Sequence, residues 1–224
     1  MTHMSAAFLA EDPIQLTPAM AQDDETSFRQ LRHQTKNALQ RILCQIAQCR
    51  ELQSTRDGRR LVEDLERRVR LSASVSDALF GIASAPDALA PRLQRLAQAT
   101  VDLLGDADQL VRLEVEVEPG CPAALDQTVL RIVHELVGNA VKHGLYARSI
   151  GRITVRAAAE GRGLVRLQVI DDGWGFKQQP DHGEGLSLVA LLAAQHGGTA
   201  TLERRGGATV ASVALRNPAA VRMS

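Results

Sequence analysis

Apolar residues recur from Phe28 to Leu52 at Phe28, Leu31, Leu39, Ile42, Leu43, Ile46 and Cys49. Steps of three and four lay one broad apolar stripe along a helix. The run Ser54 to Gly58 (Ser-Thr-Arg-Asp-Gly) interrupts the stripe with turn-forming residues. A second stripe runs over 59–80 through Leu61, Val62, Leu65, Val69, Ser72, Val75 and Leu79. Two amphipathic helices joined by a short turn make an antiparallel hairpin. A hairpin this apolar cannot cover its own face, so the pattern predicts a homodimer closing a four-helix bundle, or packing on the next domain.

Pro86 and Pro91 mark a boundary, after which the periodicity changes type. A helix is expected over about 90–104, an alternating strand over 110–117 and a long helix over about 123–145. Strand-like runs follow at 151–158 and 164–171, then a glycine-punctuated loop. A helix over about 185–196 and two strands, near 199–204 and 208–215, close the chain. The last two strands flank Gly206-Gly207 as a hairpin. This order predicts an α+β protein: the helical hairpin, then a mixed sheet with helices on one face. The expected divisions are a loose leader over 1–24, the hairpin over 25–84, the layered domain over 87–217 and a tail over 218–224.

Composition narrows the partners. Hydrophobic residues make up 45% and charged residues 23%, as in an ordinary globular protein. Lys plus Arg equals Asp plus Glu at 26 each, so there is no basic bias toward nucleic acid or an anionic membrane. Aromatic residues are only 3%, too few for a base-stacking platform. The apolar run from Gly185 to Gln195 falls short of the roughly 20 residues a spanning helix needs. Residues 1–10 lack the basic and apolar regions of a secretion signal. Cys44, Cys49 and Cys121 have no metal-ligand spacing and read as reduced thiols. A cytoplasmic protein is expected.

Four segments of the second half carry candidate chemistry. The first is the helical run His134 to His143, in which Glu135, Asn139, Lys142 and His143 share a face while Leu136 and Val137 turn to the core. A carboxylate and a carboxamide one turn apart offer oxygen ligands to Mg²⁺ held also by phosphates. They fit a solvated polar face equally well. The second is Asp171-Asp172-Gly173-Trp174-Gly175, directly after a strand. A carboxylate there can accept a hydrogen bond from an adenine amino group. The third is Gly183-Glu184-Gly185-Leu186, opening a helix whose free amides and dipole suit phosphate. The fourth, Gly197-Gly198-Thr199 with Gly206 to Thr209, closes the last strands, and each glycine pair alone fits an ordinary turn.

In order and spacing these segments resemble the ATP-binding domain shared by gyrase, Hsp90, MutL and the histidine kinases, over about residues 87–217. The resemblance implies ATP and Mg²⁺, with Asn139 ligating the metal and Glu135 holding it or its water. It implies Asp171 at the adenine, supported by Gly173 and Gly175. Gly183, Gly185 and Leu186 then border the phosphates, and Lys142, His143 and Thr209 complete the nucleotide site. The lid, Phe176 to His182, is short, so less complete closure over ATP is expected.

Upstream, Leu31-Arg32-His33-Gln34-Thr35-Lys36-Asn37-Ala38-Leu39-Gln40 resembles the phosphoacceptor box of the histidine kinase subfamily reading H-R-x-K-N-x-L-Q. His33, Lys36, Asn37, Leu39 and Gln40 match, and Gln34 replaces the expected Arg. The His-Glu-Leu start of the nucleotide helix is similar to the related HWE class, whose Trp-x-Glu element is not evident here. Helical geometry agrees: Phe28, Leu39, Ile42 and Ile46 cluster roughly 180–240° away from His33, which points off the bundle. Gln34 stands where many such kinases carry an acidic base. Another group serves, or the neutral imidazole attacks unaided. Asn37 suits orientation of a water for dephosphorylation, and equally an ordinary surface position.

The expected function is an ATP-dependent protein-histidine kinase that phosphorylates His33 and passes the phosphoryl group to a response-regulator receiver aspartate. A phosphotransfer adaptor with a degenerate ATP domain is the alternative, opposed by Asn139, Asp171 and the intact glycines. A serine kinase of the anti-sigma type would lack the histidine helix. Only 32 residues precede His33, so if the chain is complete its signal comes from a separate sensory protein or from the regulator.

Overall fold

The computed structural model describes residues 14–15, 41–80, 88–106, 108–161, 163–175 and 183–217. His33, Asn37 and the rest of the histidine box lie outside the described residues, as does the lid over 176–182. The chain divides into two compact units, residues 20–85 and residues 1–19 with 86–224.

The described residues of the first unit are helical. Residues 41–47 are helical, and a break at Gln48 and Cys49 precedes α1 (Arg50–Ser54) and α2 (Arg56–Phe80). The expected five-residue turn is therefore shorter and the first helix is not continuous. Thr55 ends α1 with extended backbone, and its hydroxyl accepts the Gly58 amide at 3.0 Å, so Gly58 falls inside α2. A Thr side chain in that position satisfies one of the amides that a helix start leaves free. On α2, Val62, Val75 and Leu79 are buried while Leu61 is half exposed. Ion pairs Arg68–Asp64 and Arg70–Glu66 line the solvent side at i,i+4 spacing.

The second unit is an α+β layer. Its sheet runs in the order β1-β5-β6-β4-β3-β2. The strands are β1 (Ile14–Gln15), β2 (Leu110–Val117), β3 (Ile150–Glu160), β4 (Leu164–Asp171), β5 (Thr199–Arg205) and β6 (Ala208–Arg216). Among the described strands only β2 and β3 are parallel, so the sheet is mixed, as the alternation of helices and strands predicts. Within the stretch read as a leader, Ile14 pairs with Leu202 and Gln15 with Thr201 at the sheet's edge.

Period-two alternation determines which side of the sheet meets the helices. Val165, Leu167, Val169 and Asp171 of β4 are buried, as are Thr209, Ala211, Val213 and Leu215 of β6. Against the sheet lie α3 (Leu89–Leu104), α4 (Asp126–Asn139) and α5 (Glu184–Gln195). Leu93, Leu96, Leu130, Ile132 and Val133 are fully buried, each contributing on the order of 1.5–3 kcal/mol of apolar burial. Polar contacts fix α3 against α4. Arg92 pairs with Asp126 at 2.9 Å. The Thr100 hydroxyl donates to Leu96 O, so at 3.0 Å it accepts from His134 Nδ1. Burial, with Lys142 nearby, lowers the His134 pKa. Among the described residues no helix is long and apolar enough to cross a membrane.

Candidate nucleotide site

The long helix expected over 123–145 is built in three parts. A 3₁₀ turn at Ala123–Leu125 leads into α4, which passes into a π-helical turn at Ala140–Gly144. The Leu145 amide bonds Ala140 O at 2.8 Å, five residues back. That wider turn changes which side chains share a face. His143 lines the cleft described next, whereas Lys142, expected on the same face, is exposed and outside the lining.

A cleft of about 330 Å³ opens between the end of α4, the sheet and the start of α5. From the helix side it is lined by Leu136, Asn139, Ala140, His143 and Gly144. Val169, Asp171, Leu202, Thr209 and Ala211 form its floor. Gly175, Gly183, Gly185 and Leu186 form its rim. The sequence pattern missed the apolar floor and Leu136, which was assigned to the core and faces the cleft as well. Their signal is the strand alternation that puts Val169 beside Asp171 and Ala211 beside Thr209. Gly173, expected at the ligand, supports the cleft from behind.

Asp171 is buried at the end of β4, its Oδ1 accepting the Gly173 amide at 3.0 Å. Burial pushes its pKa up to about 6, against the opposing effect of that amide. Thr209 stands opposite in the β4–β6 ladder, and its hydroxyl also lowers the value. The hydroxyl nevertheless falls short of hydrogen-bond geometry and Thr209 Oγ1 has no partner among the described residues, so proximity rather than a formed bond describes the pair. Asn139 Nδ2 is likewise buried without a partner among them. Buried polar atoms are ordinarily satisfied, and here both unsatisfied ones belong to residues lining the cleft.

Close backbone approaches hold this arrangement. A Cβ on Gly173 would lie 2.0 Å from Gly144 O, so only glycine lets the loop after β4 seat on the end of the π turn. A Cβ on Gly185 would lie 2.7 Å from Glu135 Oε2 and 3.8 Å from Asn139 Nδ2. The carboxylate and carboxamide thus converge beside the N-terminus of α5. Burial raises the Glu135 pKa, opposed by Lys142 and Arg131.

Among the described residues no group of three or more His, Cys, Asp or Glu is assembled around a metal. A cation at this place therefore needs phosphate oxygens as well, which is how Mg²⁺ is commonly held at nucleotides. Glu135 and Asn139 fit one side of such an ion, the Asn139 amide presenting Oδ1 when turned end for end.

Residues 125–219 match the family described as histidine kinase-, DNA gyrase B- and HSP90-like ATPase. The sensor histidine kinase PdtaS of Mycobacterium tuberculosis is 28% identical over 174 residues, 75% of this chain and 34% of PdtaS. The chain thus spans about a third of the length of the curated relatives it matches. Among solved structures, the histidine kinase domain of the Erythrobacter litoralis EL346 blue-light activated histidine kinase aligns at a TM-score of 0.54 and 21% identity. That alignment covers 82% of this chain and 94% of that one. A structure described as a bacterial phosphotransferase aligns at a TM-score of 0.55 and 13% identity, covering 86% of this chain and 98% of that one. At these identities the likeness is one of fold. Residues 125–219 are thus similar to the ATPase domain shared by histidine kinases, DNA gyrase B and Hsp90.

Proposed function

We propose that the chain is a protein-histidine kinase: it binds ATP with Mg²⁺ in the cleft, transfers the γ-phosphoryl group to His33 and hands it to a response-regulator aspartate. The observation that carries this reading is the convergence of Asn139, Asp171 and the Gly183–Gly185 helix start on one cleft, with Glu135 beside Gly185, in a chain whose sequence also bears a histidine box. Asp171 would accept the adenine amino group. The amides at the start of α5 would meet phosphate oxygens, and Asn139 with Glu135 would hold Mg²⁺, which neutralises phosphate charge when bound. His33 would be the nucleophile, attacking as a neutral imidazole unless another group takes its proton, since Gln34 cannot. Asn37 would orient a water for the reverse hydrolysis.

We assign the H-R-x-K-N type to the box, a homodimer through residues 28–80 to the hairpin, and the cytoplasm to the protein. The test is incubation with ATP labelled at the γ-phosphate in the presence of Mg²⁺. Label that withstands base and is lost in acid is expected on the wild type and absent from His33→Ala, with nucleotide affinity unchanged. Stoichiometric labelling of His33→Ala rules out the assignment of His33. A wild type that binds no nucleotide rules out the kinase.

A further inference from the structure

Trp174 does not line the cleft, yet it joins several of the segments that build it. Its amide donates to Gly144 O at 2.9 Å, and its indole Nε1 donates to Tyr146 O at 3.2 Å. Its carbonyl accepts Arg204 Nη1 from β5. The Arg148 guanidinium stands over the indole ring, 5.5 Å from its centroid. Arg148 itself donates to Ile150 O at the start of β3 and to the Asp172 carbonyl. The loop leaving β4 is thereby fastened to the end of the Asn139 helix, to β3 and to β5. Burial does not explain a tryptophan here, because the side chain is 64% exposed. What the residue supplies is an indole donor, a π face for a cation and a backbone seat on Gly144.

The geometry points to Trp174, clamped by Arg148 and Arg204, as a positioning residue that sets the separation of Asp171 from Asn139. Those two side chains come from different elements, β4 and the end of α4. The Gly144–Trp174 and Tyr146–Trp174 hydrogen bonds span the junction between those elements. A nucleotide binding both needs that separation fixed before it arrives, since ordering a loose loop costs affinity. This inference rests on the nucleotide reading of the cleft and extends it to residues outside the lining.

Trp174 is the only tryptophan of the chain, so its emission reports on this junction directly. The full chain is compared with Trp174→Ala and Trp174→Phe, the latter keeping a ring for Arg148 and losing the indole donor. Amide hydrogen exchange over 171–175 is followed without ligand, Mg·ADP affinity by calorimetry and stability by thermal midpoint. Trp174→Ala is expected to speed exchange at residues 173 and 174 and to weaken Mg·ADP roughly tenfold, and Trp174→Phe about threefold. The midpoint should stay near that of the wild type, and wild-type emission should shift when Mg·ADP binds. Exchange that does not change in Trp174→Ala overturns the clamp, and faster exchange with unaltered affinity overturns its link to the site. Weaker binding that only tracks a lost folded fraction also overturns it. A wild type that binds no Mg·ADP instead sinks the nucleotide reading, and the exchange data then decide the clamp by themselves.

Discussion

A carboxyl group removed from water holds its proton more tightly, and Asp171, 5% exposed, titrates at about 6 for that reason. Its folded value lies above its ordinary 3.8. The stabilising contribution is therefore complete below the unfolded value and is lost as pH rises through about 6. At neutral pH the ionised group costs the empty domain on the order of 3 kcal/mol. An adenine amino donor would offset part of that cost, and it prefers the ionised acceptor. ADP affinity is thus expected to fall as pH drops below about 6 and to level off above 7. Asp171→Asn should bind weakly with a flatter profile. Calorimetric titrations of both proteins from pH 5 to 8 decide the matter, because protonation of ADP itself affects them alike. Parallel profiles would remove Asp171 from the adenine. Asp171 and Gly175 were legible as cleft residues because the loop compresses its polar and glycine positions into five consecutive residues, whereas Gly173 supports the cleft from behind. The apolar floor was not, since Leu202 and Ala211 reach Val169 only through strand register, which no local pattern specifies.

Strands with clean alternation could be read to the residue, as 110–117 and 164–171 show. Three features escaped. The break at Cys49 interrupts an apolar stripe that continues through it. The π turn after Asn139 is five residues long, too short to leave a period of its own, yet it turns Lys142 out and keeps His143 in. Strand β1 has two residues, and two residues cannot alternate. Element junctions also concentrate the sharpest steric demands. Gly173→Ala would drive a Cβ to 2.0 Å from Gly144 O and 2.7 Å from Asp171 Oδ1. Backbone cannot yield as a side-chain tip can, so the loop after β4 should shift. A loss of about 1–3 kcal/mol in stability and of most nucleotide binding is expected. Gly161→Ala, whose Cβ would meet nothing within 4 Å, is the control and should change neither. Denaturant melts and a fluorescent-nucleotide titration of the two variants measure both effects. Equal behaviour would show that the loop accommodates a side chain.

At the scale of the molecule, the second unit draws in residues from the start of the chain. Ile14 and Gln15 pair with Leu202 and Thr201, and Leu202 also lines the cleft. The segment before the histidine box is therefore hydrogen-bonded to the domain that would phosphorylate it. Proline and acidic residues around this segment read as a leader because composition reports solvation and says nothing of a two-residue pairing. The pairing blunts an exposed edge of the sheet. Its loss should remove about 1–2 kcal/mol, the worth of a pair or so of backbone hydrogen bonds. Deletion of residues 2–24 is accordingly expected to lower the thermal midpoint of the nucleotide domain by a few degrees, roughly 3–6 °C. It should weaken nucleotide binding only slightly, because β5 keeps its pairing with β6 on the other side. Labelling of His33 should persist. A partner that docked on the leader would have to compete with β5 for Ile14 and Gln15, and strand release would then be the route by which its arrival is transmitted. A deletion with an unaltered midpoint would show that β1 adds nothing to the edge, and that transmission route would fall with it.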